Sequence, residues 1–214
     1  MKVRVLKKLR IATIGDSLTQ GNPPPNFYHP GTYQHWMKRW LIKQGIHTRV
    51  VNWGIGGQVA HEIASRVPQT LPTDVLIIMG GTNDVWRYSA FDDDLSIEMT
   101  EDVVEQLAIG AKSANQGMNG GAKYVLLCSI PPMVKVSTIP RDALKNITRI
   151  NNKIKDLCEN EGYYFCDVNG EMRLPDGSGN PTYHQPDGVH FTPAGNRACG
   201  EAIAKCIARI IGIV

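Results

Sequence analysis

The sequence predicts an α/β fold in which a parallel sheet lies between two layers of helices. Short apolar runs alternate with longer amphipathic segments, and this strand–helix pattern repeats five times along the 214 residues. The runs are mostly apolar throughout rather than alternating, which is typical of strands covered on both faces. Helices on both faces, joined by right-handed crossovers, are the arrangement that such a pattern favours.

Five apolar runs are the predicted strands. In chain order they span Leu9 to Gly15, Arg49 to Trp53, Asp74 to Gly80, Tyr124 to Ser129, and Tyr163 to Val168. Three segments after the first, third and fifth strands are rich in glycine, proline and polar residues, and we expect them to be irregular. They are Gln20 to Gly31, Gly81 to Ser89, and Asn169 to Asp187. Open parallel sheets bind ligands beyond the carboxyl ends of their strands, so we expect the site among these segments.

A helical stripe of apolar residues follows each predicted strand. We expect Thr100 to cap the third helix, since two acidic residues follow it. Pro68 ends the second helix, and Thr192 with Pro193 marks the start of the last one. The stripes are Tyr33, Trp36, Met37, Trp40 and Leu41; Val59, Ile63 and Val67; Val104, Leu107, Ala108 and Ala111; Ile147, Ile150, Ile154 and Leu157; and Cys199, Ile203, Ile207 and Ile210.

The composition fits one soluble domain that spans residues 1–214. Hydrophobic residues make up 42% and charged residues 20% of the chain, which excludes a disordered or collagen-like protein. Stable membrane insertion is not expected, because no apolar run approaches the roughly 18 residues that a spanning helix needs. The net charge is +3, and the basic residues are scattered apart from Lys2 to Arg10, so we expect no nucleic-acid partner.

The five cysteines and the N-terminus predict a cytoplasmic protein. The cysteines include no C-x-x-C pair and are expected to be reduced, mostly buried thiols. Met1 to Arg10 is basic but lacks the apolar region of a signal peptide. A signal that was removed from this chain is the alternative that stays open. The pattern gives no indication of the oligomeric state.

A serine and a histidine–aspartate pair are the candidate reactive groups. Ser17 follows the first strand in Gly15-Asp16-Ser17-Leu18-Thr19, where Gly15 allows a sharp turn. A serine becomes a nucleophile when a base takes its proton and a third group orients that base. Of the six histidines, only His190 has a carboxylate three residues earlier, at Asp187. This spacing lets Asp187 reach Nδ1 and leaves Nε2 to face Ser17, although each segment alone also fits an ordinary turn.

Two more segments place polar groups at the same edge of the sheet. The second strand is followed by glycines up to Gly57, which permit close approach of the backbone, and a helix is expected to begin near Gln58 with free N–H groups. The third strand ends in Gly80-Gly81-Thr82-Asn83-Asp84, where the Asn83 amide is able to donate into a site. Each segment alone also fits a turn, but their convergence on one edge favours a functional site.

Together, these four segments resemble the blocks of the SGNH hydrolases, also called the GDSL esterase/lipase family. They occur in the family's order between Ile11 and about Gly200. The resemblance implies a flavodoxin-like, five-stranded three-layer sandwich with strand order 2-1-3-4-5, hydrolysis of esters or thioesters, and no metal or organic cofactor. It also implies three catalytic residues and three oxyanion-hole residues, respectively Ser17, Asp187 and His190, and Ser17, Gly57 and Asn83.

Two details of the resemblance depend on particular residues. Gly57 is preferred over Gly54 and Gly56 as the oxyanion-hole glycine because its distance from Asn52 fits the family block. Gln58 stands where many members carry an acidic residue, and no catalytic conclusion follows from it. The segment around Ser17 is not the G-x-S-x-G elbow of α/β-hydrolases, since leucine and threonine follow the serine.

The expected activity is therefore hydrolysis of a small-molecule acyl ester through an acyl-enzyme. Three alternatives stay open: an acyltransferase that uses the same site, a noncatalytic ligand-binding module, and a nucleotide-binding protein with Gly54 to Gly57 as a phosphate cradle. The last leaves the Asp187–His190 pair unexplained.

The substrate is not indicated, because aromatic side chains that could line an acyl or sugar pocket could equally anchor their own loops. They are Phe27, Tyr28, Trp86 and Tyr88, with Pro23 to Pro25 stiffening the first loop.

Overall fold

A five-stranded sheet organises the protein, whose computed structural model describes residues 8–21, 31–89, 93–115 and 120–213. The strands are β1 (Leu9–Gly15), β2 (Thr48–Gly54), β3 (Thr73–Met79), β4 (Ala122–Cys128) and β5 (Tyr164–Cys166). All neighbouring pairs are parallel, and the order is β2-β1-β3-β4-β5. The predicted fold class and strand order are thus confirmed. Because these strands are covered on both faces, their apolar runs are continuous, and Val75 to Met79 of β3 are at most 1% exposed.

Eight helices connect and cover the strands in the described part of the chain. They are α1 (Ser17–Gln20), α2 (Tyr33–Lys43), α3 (Ala60–Arg66), α4 (Thr82–Tyr88), α5 (Asp93–Asn115), α6 (Ala143–Glu161), α7 (Val168–Met172) and α8 (Pro193–Ile210). Helix α2 packs against α8, and α5 packs against both α3 and α6. The contact between α2 and α8 requires a glycine, because a Cβ at Gly200 would lie 2.3 Å from the Tyr33 carbonyl oxygen.

Several predicted boundaries are wrong. The segment from Gly81 to Ser89 is not irregular, since it contains α4, and the segment after Asn169 begins inside α7. Helix α5 begins at Asp93 rather than near Thr100, whose hydroxyl donates to the Ser96 carbonyl one turn earlier and caps nothing. The last strand is shorter than predicted, because β5 ends at Cys166 before α7 begins.

Smaller differences concern the second helix and the cysteines. Helix α3 begins at Ala60, two residues after the expected start, and Pro68 lies in a 3₁₀ turn that follows it directly. Helix α8 begins as predicted, with Thr192 accepting the Gly195 N–H and Pro193 in the first turn.

The five cysteines are unpaired, and all but the half-buried Cys206 are buried. Within the described residues, no helix combines the length and the apolar character needed to cross a membrane.

The register of the sheet sets where the functional segments meet. Gly15 of β1 pairs with Gly54 of β2 and with Met79 of β3, so these three strands end at one level. The segments that follow them therefore start side by side at the carboxyl edge of the sheet. This edge is the expected ligand-binding edge of an open parallel sheet.

Candidate active site

Ser17 lies at the carboxyl edge of the sheet because the chain turns from β1 directly into α1. Asp16 caps this helix, and its Oδ1 accepts the Leu18 N–H at 2.9 Å. The turn requires a glycine before it, since a Cβ at Gly15 would lie 2.3 Å from the Met79 carbonyl oxygen. Ser17 is the first residue of α1 and is half-buried, so its side chain remains accessible and its N–H has no acceptor within the helix.

A hydrogen-bonded chain joins Ser17, His190 and Asp187. His190 Nε2 lies 3.0 Å from Ser17 Oγ, and His190 Nδ1 lies 2.6 Å from Asp187 Oδ2. The second oxygen of Asp187 accepts the backbone N–H groups of Val189 at 2.9 Å and His190 at 3.0 Å. The turn thus holds the carboxylate against the imidazole, which favours the tautomer with its proton on Nδ1 and an acceptor facing Ser17.

The surroundings of Asp187 keep this carboxyl group ionised. Burial acts to raise its pKa, but hydrogen bonds from the Val189 N–H, the His190 ring and the His190 N–H outweigh burial. The pKa of Asp187 is therefore lowered from its ordinary value. A negative charge is present beside Nδ1 throughout the neutral pH range.

The glycine-rich loop after β2, residues 54–58, is held by side chains that accept its N–H groups. The Gly54 N–H donates to Asn52 Oδ1 at 2.8 Å, and the Gly56 N–H donates to Gln20 Oε1 at 2.9 Å. No described residue accepts the N–H of Gly57, whose φ of 81° lies in the left-handed region. Gly57 thus differs from Gly54 and Gly56 in having a backbone donor left for another partner.

The carbonyl groups of the same loop are held from α4. Arg87 Nη2 donates to the Gly57 carbonyl at 2.8 Å, and Asn83 Nδ2 donates to the Gln58 carbonyl at 2.8 Å. Asn83 is therefore fixed by the loop, and its amide nitrogen retains a second hydrogen. Because α4 supplies both contacts, the helix and the loop position each other.

Arg66 connects this loop to the end of β2. Its Nη1 donates to the Trp53 carbonyl at 2.9 Å, and its Nε donates to Gln58 Oε1 at 2.9 Å. Burial lowers the pKa of Arg66, although a guanidinium group still keeps its charge. Arg66 therefore fixes the Gln58 side chain beside the end of β2.

A cavity of about 400 Å³ opens above these groups. Its lining consists of Ser17, Gly57, Asn83, Trp86, Arg87 and His190. The structure therefore brings the predicted serine, glycine, asparagine and histidine to one cavity, with Asp187 behind the histidine.

The predicted aromatic residues do not share one location. Trp86 lines the cavity, and its Nε1 donates to the Thr138 carbonyl at 3.1 Å, which fixes the indole. Tyr88 lines a different cavity, next to Asp84. Phe27 and Tyr28 lie outside the described residues, as do the three prolines before them.

Two carboxyl groups lie buried beside the site. Asp16 is 1% exposed and Asp84 is 4% exposed. Both oxygens of Asp84 accept the Ala60 N–H at the start of α3, at 3.2 and 3.1 Å. Burial raises the pKa of each carboxyl group to about 6, and the charge of Asp84 adds to the shift of Asp16.

Arg87 is the cavity residue that the sequence interpretation missed. The segment around it was expected to be irregular, so no helical spacing was applied to it. In α4, Arg87 comes one turn after Asn83 and therefore lies on the same face of the helix. The spacing of four residues after the predicted asparagine is the signal that would have found it.

Three solved structures that are similar to this chain are esterases. An aryl esterase of M. smegmatis is 22% identical, with a TM-score of 0.69 and coverage of 96% of this chain and 100% of that one. An acetylxylan esterase from Geobacillus stearothermophilus is 19% identical, with a TM-score of 0.71 and coverage of 95% and 94%. A carbohydrate acetylesterase from Sinorhizobium meliloti is 21% identical, with a TM-score of 0.67 and coverage of 95% and 100%. At these identities the likeness demonstrates a shared fold.

The fold and the family together define the class of enzyme, a carboxylic ester hydrolase. The chain belongs to the GDSL-like lipase/acylhydrolase family, whose model matches residues 13–198. The resemblance to SGNH hydrolases that the four sequence segments predict is thereby confirmed. No curated protein sequence matches the chain.

Proposed function

We propose that the protein hydrolyses small acyl esters in two steps, with Ser17 as the nucleophile, His190 as the base and Asp187 as the group that orients the base. The observation that carries the proposal is the continuous chain from Ser17 Oγ through both nitrogens of His190 to Asp187 Oδ2. This chain ends in a cavity that also presents amide donors, which is the arrangement that acyl transfer to a serine requires.

In the first step, Ser17 Oγ attacks the carbonyl carbon of the ester while His190 Nε2 takes the hydroxyl proton. The ionised Asp187 stabilises the resulting imidazolium. The tetrahedral intermediate then collapses, the bond to the alcohol oxygen breaks, and His190 returns the proton to that oxygen. The alcohol leaves, and the acyl group stays on Ser17 as an ester.

In the second step, water replaces the alcohol. His190 Nε2 takes a proton from the water as its oxygen attacks the acyl carbonyl. Collapse of the second intermediate breaks the bond to Ser17 Oγ, which receives the proton from His190. A carboxylic acid is released, and the free enzyme is restored.

The negative oxygen of both intermediates is held by the N–H groups of Ser17 and Gly57 and by the Asn83 side-chain amide. The choice of Gly57 is supported by its neighbours, since the N–H groups of Gly54 and Gly56 already have acceptors. Donors that are held in place before the reaction stabilise the developing charge without having to reorganise. The hydrogen bonds to the Gly57 and Gln58 carbonyl groups hold the loop, and with it the Gly57 N–H, in place before the ester binds.

We further propose aryl esters and acetylated carbohydrates as the first substrate classes to examine. The three similar structures are named as an aryl esterase, an acetylxylan esterase and a carbohydrate acetylesterase. The fixed indole of Trp86 offers one flat apolar wall, against which an aromatic ring or a sugar face packs. A cavity of about 400 Å³ suits a short acyl group together with one ring.

The test is a panel of para-nitrophenyl esters of increasing chain length, together with acetylated xylose, assayed with the wild type and with Ser17→Ala. We expect hydrolysis of the short esters and no turnover by the variant, whose circular dichroism and melting curve should match the wild type. Adding an alcohol acceptor separates hydrolysis from acyl transfer, because a transferase would form a new ester. Turnover that survives in Ser17→Ala would contradict the proposal.

A further inference from the structure

The guanidinium group of Arg87 lines the cavity but takes no direct part in the proposed reaction. Arg87 is exposed on α4, and its Nη2 donates to the Gly57 carbonyl at 2.8 Å. Within the described residues this carbonyl is its one hydrogen-bond partner. A guanidinium group has five N–H donors in a planar fork, so most of them remain available to a ligand.

The charged lining of the cavity is positive in the part of the chain that the structure describes. The six described lining residues include one arginine and no carboxylate. The described carboxyl groups nearby do not line the cavity, since Asp187 is hydrogen-bonded to His190 and both Asp16 and Asp84 are buried. An ester that enters the cavity therefore meets a fixed positive charge beside the oxyanion donors.

We propose that Arg87 binds an anionic group of the substrate, so that the preferred esters carry a carboxylate or another oxyanion. This inference rests on the proposed esterase function and names its substrate class. A guanidinium group binds a carboxylate or a phosphate through two parallel N–H···O contacts, and it does so at lower desolvation cost than an ammonium group. The contact to Gly57 holds the guanidinium in place, so little side-chain freedom is lost when the anion binds.

The test compares two pairs of esters that differ in one negative charge. On the acyl side, para-nitrophenyl hemisuccinate is compared with para-nitrophenyl butyrate, and on the alcohol side para-acetoxybenzoate is compared with its methyl ester. kcat/KM is measured for the wild type, Arg87→Gln and Arg87→Lys. The ratio of wild type to variant is formed for each ester, so that the different intrinsic reactivities of the esters cancel.

Arg87→Gln should lower kcat/KM for the anionic member of at least one pair about three- to tenfold more than for the neutral member. The pair that responds identifies the side of the ester that carries the anion. Arg87→Lys should retain part of the preference, since it keeps the charge but loses the planar fork. In the wild type, added salt should weaken the preference for the anionic member, because the contact is exposed to solvent.

Arg209→Gln is the matched control, since it removes the same charge from the end of α8, far from the site. Ile211, which follows that helix, lines a cavity with Leu9 at the opposite edge of the sheet. This variant should leave both ratios unchanged. Equal losses on anionic and neutral esters in both pairs, with no salt effect in the wild type, would overturn the inference. The proposed esterase function would stand in that case, and it fails only if neutral esters are not hydrolysed through Ser17.

Discussion

At the residue scale, the charge of Asp187 is the feature on which the behaviour of His190 depends. Replacing Asp187 with asparagine keeps the shape but removes the anion, and an amide that donates to Nδ1 shifts the ring proton to Nε2. That tautomer cannot accept the Ser17 proton. We expect Asp187→Asn to lower kcat by a factor on the order of 10⁴ while the melting temperature changes little, as stopped-flow and thermal unfolding would measure.

The pH profile tests the same pair independently. His190 must be neutral to accept a proton, and the lowered pKa of Asp187 keeps that carboxylate ionised where the enzyme works. The acid limb of kcat/KM should therefore differ between the wild type and Asp187→Asn, because the variant has no carboxylate beside Nδ1. His61→Ala, which removes an exposed histidine of α3, is the control and should keep the wild-type limb. An unchanged limb in Asp187→Asn would make Asp187 a turn residue only.

Asn83 is predicted to act on turnover rather than on affinity. Its amide is expected to donate mainly to the oxygen that becomes charged, so Asn83→Ala should lower kcat by roughly 10²–10³ and change KM little. Steady-state kinetics on a short aryl ester measure both values. A rise in KM with an unchanged kcat would mean that Asn83 serves ground-state binding or the loop contact to Gln58 alone.

At the scale of elements, the site depends on how closely α1 and the end of β2 approach. A Cβ at Gly54 would lie 2.1 Å from the backbone nitrogen of Gln20 and 2.6 Å from its Cα. Neither atom belongs to a flexible side chain, so Gly54→Ala must displace α1 or β2. We expect this variant to lose about 2–3 kcal/mol of unfolding free energy, together with most of the activity.

Gly45→Ala separates backbone conformation from crowding. Gly45 has a φ of +76°, but no atom lies within 4 Å of an added Cβ. Gly45→Ala should therefore lose only the conformational cost of about 1 kcal/mol in unfolding free energy and should retain its activity. Urea denaturation measures both variants. Equal losses for the two would show that close approach at Gly54 is not the controlling factor.

The buried carboxyl group at the start of α3 predicts a pH-dependent stability. The pKa of Asp84 is about 6 in the folded protein, against about 3.9 in an unfolded chain. The folded protein therefore holds this proton more tightly than the unfolded chain does. The contribution of this proton to the free energy of unfolding is fully present below about pH 4 and is lost as the pH rises through about 6. Asp84→Asn removes this dependence, although it also alters one contact to the Ala60 N–H.

Relative to the wild type, Asp84→Asn should gain up to about 2–3 kcal/mol in unfolding free energy between pH 4 and pH 7.5. Urea denaturation at the two pH values gives the difference. Asp156→Asn changes an exposed aspartate of α6 and should follow the wild type at both pH values. If Asp84→Asn runs parallel to the wild type as well, the buried carboxyl group does not titrate in this range.

At the scale of the whole molecule, the sheet was predictable because strands that are buried on both faces have continuous apolar runs in the sequence. The strand from Leu9 to Gly15 has the predicted ends, since its apolar run stops at a glycine that the next turn requires. The resemblance brought the candidate site residues together for a similar reason. Ser17, Gly57 and Asn83 follow the ends of β1, β2 and β3 within four residues, and the register aligns these three strand ends. The histidine–aspartate pair instead reaches the site from the segment before α8.

What the sequence did not predict depends on contacts between distant segments. Helix α4 was missed because its first three residues are polar and follow two glycines, yet Asn83 and Asp84 are buried against the loop and against α3. Arg66 and Arg87 bind backbone carbonyl groups, and a carbonyl acceptor leaves no trace in residue type. Thr100 was wrongly predicted as a helix cap, because α5 starts earlier and the Thr100 hydroxyl donates to the Ser96 carbonyl within that helix.

Covalent trapping tests whether Ser17 is the nucleophile that forms the acyl-enzyme. Protein that hydrolyses an aryl ester is inactivated with a serine-directed phosphonate and digested, and the modified residue is mapped by mass spectrometry. Because only Ser17 among the described serines is hydrogen-bonded to a histidine, we expect one adduct, on Ser17, formed in step with the loss of activity and absent in His190→Ala. An adduct on another residue that accompanies inactivation of the wild type, with Ser17 unmodified, would contradict the account.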